Sequence, residues 1–187
     1  MTMPVWNFEA SLTDDLGVVP GSLRRGHNVL TGGGAWILAQ LVAWQTMPLP
    51  DDVPRSIKRI RWFEVGTGMW LETPHVETLR TPKLISGGNY LRLASVAPAY
   101  PDASRPTRAS VKFSVTYTKP ELAGDPLISE VGLIADANDT AGDYGLPATA
   151  LAATEQYPDV AFYKVIDPPL QKLTGVQNLI VRWELRF

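Results

Sequence analysis

Histidine is the side chain most often used to move a proton near neutral pH or to hold a metal ion, and this chain has two, His27 and His75, neither with a second ligand at short helical spacing. Cysteine is absent, which removes a thiol nucleophile, a thiolate metal site and any disulfide framework. A serine nucleophile would need a histidine base and an orienting carboxylate, and no Gly-x-Ser-x-Gly elbow occurs. Paired acids such as Glu64 and Glu72, or Asp14 and Asp15, could flank a glycosidic bond. Among 19 acids, however, some pair will always meet that distance, so the pairing carries little information. Glu130 stands inside the apolar stretch Leu127 to Leu133 and reads as an outward-facing strand residue, paired with an arginine.

Glycine-rich stretches can present backbone amides to an anion. Gly32-Gly33-Gly34 opens a helix without the strand before it or the Gly-Lys-Ser/Thr after it that a nucleotide site requires, and close packing explains it better. Gly66-Thr67-Gly68 lacks a third glycine and reads as a turn. Asp136 to Asp143 offers oxygen ligands for calcium, but Ala141 and Pro147 stand where an EF-hand loop needs glycine and glutamate, so a solvated loop is expected. Arg55 to Trp62 gathers four cations beside an aromatic; strand alternation divides them between two faces, as a charged outer face making inter-subunit pairs would. The residue types thus predict no catalytic residue, no metal site and no cofactor. A hydrolase would require two or more acids with a histidine in one cleft, with His27, His75 and Glu130 the residues to mutate.

The elements that must position these residues follow from composition and periodicity. The chain has 187 residues, a net charge of −2, 45% hydrophobic and 19% charged residues, which describes one globular core with fewer charges than usual. No apolar run reaches the roughly 18 residues of a membrane span, and Met1 to Glu9 carries no basic leader, so no membrane contact and no export signal are expected. The near-neutral balance argues against nucleic acid as the main partner.

Residues 1–28 carry scattered apolar anchors broken by Pro4, Asp14 to Gly17 and Pro20-Gly21, and read as an extended arm lying on a surface, its own or a neighbour's. Thr31 stands as an N-cap before a helix expected at about 32–45, apolar nearly all round and stopped by Pro48. Beyond it the period becomes two. Val111, Phe113, Val115 and Tyr117 share one strand face, as do Leu179, Val181, Trp183, Leu185 and Phe187. Further strands are expected at 57–65, with a bulge where the parity slips between Trp62 and Phe63, and at 90–96, 127–135 and 160–166. Strands without crossover helices imply antiparallel pairing. The expected fold is therefore mainly β, an antiparallel β-sandwich or open barrel over residues 29–187 with one buried N-terminal helix and the N-terminal arm.

One ordered series remains: Asn28 to Thr31 leading into the helix, Glu64-Val65-Gly66-Thr67-Gly68, the alternating strand 111–117, Ser129-Glu130-Val131-Gly132-Leu133, Ala161 to Val165 and the closing Leu179 to Phe187. This succession resembles a loose group of tailed-bacteriophage virion proteins, small β-rich subunits of tail, neck, baseplate and fibre attachment. The resemblance covers about residues 28–187. It implies a non-enzymatic structural subunit located in the virion, which forms homo-oligomers and contacts other phage structural proteins; capsid decoration is the alternative position. Six tryptophans and few charges suit such burial against partners. The residues expected at interfaces are Val5, Trp6, Phe8, Leu12, Trp62 and Trp70. A carbohydrate-binding sandwich for host attachment, using Trp62, Trp70 or Tyr100 as a sugar platform, is the reading from another class.

Overall fold

Strict alternation puts Leu179, Val181, Trp183 and Leu185 on the buried side of the last strand and Arg182 and Arg186 on the open side. The same alternation holds on the strand of residues 110–117, where Phe113, Val115 and Tyr117 are buried. The computed structural model describes residues 5–27, 29–35, 59–85, 90–99, 109–136 and 159–186, and among them eleven strands form two antiparallel sheets. These are β1 (Val5–Asp14), β2 (Gly17–Val18), β3 (Arg24–His27), β4 (Val29–Leu30), β5 (Arg59–Gly66) and β6 (Arg92–Leu93). They continue with β7 (Ser95–Ala99), β8 (Ser110–Tyr117), β9 (Leu127–Asp136), β10 (Asp159–Gln171) and β11 (Asn178–Arg186). The first sheet runs β2-β1-β11-β8-β7, with β3 also on β1; the second runs β4-β10-β9-β5-β6.

The sheets bury one another's inner faces. Trp183 lies at the centre: its ring meets Phe8 of its own sheet edge-on at 5.1 Å and Phe63 of the opposite sheet in a stack at 5.9 Å, with Phe162 at 6.4 Å. A second apolar cluster, Trp62, Val76, Leu79, Leu91, Ile134, Val160 and Tyr163, covers the outer face of the second sheet. That sheet is thus buried on both sides.

Several expectations are corrected. The segment read as an arm supplies β1, which pairs over its length with β11 and on its other side with β2 and β3. It is an interior strand: Phe8, Ala10 and Leu12 enter the core of their own chain. The bulge expected in this strand is present as a register irregularity at Arg61, and beyond it both faces are buried, Phe63 facing the inter-sheet core and Trp62 the outer cluster. The register shift lies one step before the parity slip, between Ile60 and Trp62. Residues 90–96 divide into parts of β6 and β7, one in each sheet. Thr31 does cap a helical turn, accepting a hydrogen bond from the Gly34 amide at 3.0 Å, but helical backbone is described only for residues 32–35. The rest of the expected helix, like the Asp136 to Asp143 loop beyond Asp136, lies outside the described residues.

Candidate functional site

The connection from β5 to β6 is too long to be a turn, and a buried acid is among the groups that fasten it to the sheet beneath. Glu130 of β9 points to the outer face. There its Oε1 accepts the Thr81 amide at 2.8 Å, and its Oε2 accepts the Arg80 amide and the Tyr163 hydroxyl, each at 3.0 Å. It is fully buried, and its partners are backbone amides and a phenol, not the arginine side chain that was expected. Backbone amides give a buried carboxylate donors without side-chain entropy, which burial of an acid demands. Burial first of all pushes the Tyr163 phenol well up, so it remains a donor. The same oxygen accepts the Trp70 amide at 2.8 Å.

Glycines make the fastening fit. Glu130 lies opposite Gly66, and a β-carbon there would collide with its carboxylate; one on Gly132 would come within 2.6 Å of Leu79 Cδ1. Ser129 adds a hydrogen bond to the Gly68 carbonyl at 2.6 Å. Gly66-Thr67-Gly68 and Glu130-Val131-Gly132, separate in sequence, are therefore the two halves of one contact.

Above this post the chain presents Met69, Trp70 and Leu71, between 44% and 84% exposed. The ridge is held in shape: the Trp70 indole donates to the Thr78 carbonyl at 3.2 Å, Arg80 lies 5.2 Å over its ring, and the Arg80 guanidinium reaches the Met69 carbonyl at 3.1 Å. Beside it opens a cleft of about 370 Å³ lined by the ridge, Arg24, Glu72 and Lys164. Across the cleft wall, Lys164 Nζ donates to Glu72 at 2.6 Å, and the same carboxylate accepts the Val165 amide at 2.8 Å.

The structure separates most of the residues that the sequence marks as candidates. Phe8, Leu12 and Trp62 are core residues, so they offer no surface to a partner in the folded chain. Val5 and Trp6 belong to the backbone of β1, and Tyr100 lies outside the described residues. Among the described side chains of the expected interface, Trp70 stands at the surface. His27 is on β3 of the first sheet and His75 in a turn of the β5–β6 connection, and neither is among the described hydrogen-bond partners of Glu130. Glu64 and Glu72 are not a pair. The close acids are Glu64 and Glu130, diagonal neighbours on β5 and β9; burial and then the Glu130 charge push Glu64 up to about 7. That pairing was missed because both acids are visible in sequence but the register joining them is not. No family model, curated protein or solved structure matches the chain.

Proposed function

We propose that the chain is a non-enzymatic structural subunit of a tailed-phage particle, acting by assembly with copies of itself and with other virion proteins of the tail, neck or baseplate. Decoration of the capsid is the alternative position. The observation that carries the reading is the braced Met69-Trp70-Leu71 ridge. Three consecutive exposed apolar side chains cost solubility, and a monomer gains nothing from fixing them with hydrogen bonds from below. A pre-shaped aromatic anchor is what an interface uses, because little conformational entropy is then lost on contact. The ordered motifs add weight, since two of them, Gly66 to Gly68 and Glu130 to Gly132, meet in the post that carries the ridge. Three described carboxylates that draw several donors, Glu130, Glu72 and Glu121, tie loops to strands, which supports a non-catalytic role.

A sugar platform has weaker support: Trp62 is buried, and Arg80 already occupies one side of Trp70. The test is mass photometry and sedimentation of the full chain beside Trp70→Ser and Leu71→Ser. Parent assemblies that fall to monomers in both variants, with unchanged far-ultraviolet circular dichroism, support the reading. A parent that stays monomeric at high concentration ends it.

A further inference from the structure

The open face of the first sheet carries a different surface, independent of the ridge. Alternation exposes one side chain per strand in lateral rows. Arg25, Glu9, Arg182 and Ser114 stand abreast on β3, β1, β11 and β8; the next row is His27, Asn7, Glu184 and Lys112. Arg186 stands two residues beyond Glu184. Each acid is shared by two cations: Glu9 by Arg25 at 3.0 Å and Arg182 at 2.9 Å, Glu184 by Arg186 at 2.6 Å and Lys112 at 3.9 Å. Burial alone would raise both acids, but these cations, with Asn7 beside Glu184, hold them below the ordinary carboxylate range.

The four cations remain between 56% and 70% exposed, and the groove they border measures about 750 Å³. Among the described residues, four cations against two carboxylates leave the face two positive, on a chain whose net charge is −2. The acids sit between the cations and take one N–H of Arg25, one of Arg182 and two nitrogens of Arg186, fewer than the five N–H donors of a guanidinium. We propose that this face docks an acidic segment of another polypeptide, its carboxylates seated on Arg25, Arg182, Arg186 and Lys112. Guanidinium forks match carboxylates in pairs of hydrogen bonds. A peptide can space its acids to the cations, about 13 Å apart for Arg182 and Arg186, and set neutral residues over Glu9 and Glu184. A nucleic-acid backbone, evenly negative, would be repelled by both acids, which makes it the poorer fit.

The full chain is titrated with a labelled 15-residue poly-L-glutamate peptide by fluorescence anisotropy, at low salt and at about 0.5 M. The expected result is saturable binding at low salt, lost at high salt, and weakened at least about tenfold by Arg182→Glu and severalfold by Lys112→Ala. Lys119→Glu, the same charge change on the β8–β9 connection, leaves it within about twofold, and Trp70→Ser leaves it unchanged, so this proposal and the assembly reading fail separately. Lys112→Ala removes only an exposed cation with a long ion pair, so its effect stands even if Arg182→Glu unfolds. Absence of peptide binding, equal loss in Lys119→Glu, tighter binding of an oligonucleotide, or dissolution of a self-assembly by Arg182→Glu would each overturn it.

Discussion

Glu130 lies across Gly66, its cross-strand partner, in the space where any other residue would carry a β-carbon. The carboxylate can then reach past the strand edge to the Arg80 and Thr81 amides, so a missing side chain on β5 becomes the seat of the loop that carries Trp70. Glycine here serves close approach, not turn flexibility.

Gly66→Ala should therefore destabilise the protein by about 1–3 kcal/mol, the usual cost of forcing a methyl group into a filled site. Urea unfolding measures it. Limited proteolysis should in addition show earlier cleavage between residues 67 and 85. A variant as stable as the parent would mean that Glu130 moves aside freely.

Tyr163→Phe removes the hydroxyl that joins the Trp70 amide to Glu130. The expected loss is about 1–3 kcal/mol, because the amide and one carboxylate oxygen lose a buried partner. Trp70 fluorescence should shift toward that of a freely solvated indole, read against a Trp70→Phe background. If the spectrum does not move, the phenol is not what fixes the ridge.

Glu64 sets a pH dependence. Its carboxyl titrates at about 7 in the fold and at 4.5 in the unfolded chain, so the folded state holds the proton longer. Below about pH 4.5 both states are protonated and Glu64 is neutral to stability. Stability falls as pH rises from there to about 7, and the full cost, about 3 kcal/mol, persists above. Glu64→Gln should match the parent at pH 4 and exceed it by up to that amount at pH 8. Parallel pH-stability curves for the two proteins would refute this.

Deleting residues 1–14 should abolish folding, since β1 fills the place between β11 and the β2 and β3 strands and takes Phe8, Ala10 and Leu12 out of the core. Circular dichroism and dispersed amide resonances are the measurements. A folded truncated chain would restore the picture of a dispensable arm.

Tyr117 and Trp183 each bury a polar hydrogen-bonding atom with no partner among the described residues. Tyr117→Phe should accordingly be neutral or stabilising by about 1 kcal/mol, since it removes an unmet hydroxyl. Trp183→Ala, which empties the junction of Phe8, Phe63 and Phe162, should cost about 3–5 kcal/mol. Thermal unfolding of both variants would separate the two effects, and equal losses would contradict the packing described.

The period-two pattern of residues 111–117 and 179–185 determined by itself that these are strands and which side of each is buried, because side-chain alternation is a local property of extended chain. The mainly β, antiparallel class followed from the lack of crossover helices. What faces those strands is not local. Residues 5–14 show their alternation only once β11, more than 160 residues away, supplies a partner, and without it they read as an arm. Trp62 and Phe63 look like a broken pattern until a loop is laid over the second face of the sheet. Glu130, Gly66 and Tyr163 are ordinary residues in sequence, and only the register of β9 with β5 and β10 makes them a post. Register is chosen by the summed burial of both sheets and not by any single segment, so the site that the strands support was decided in three dimensions.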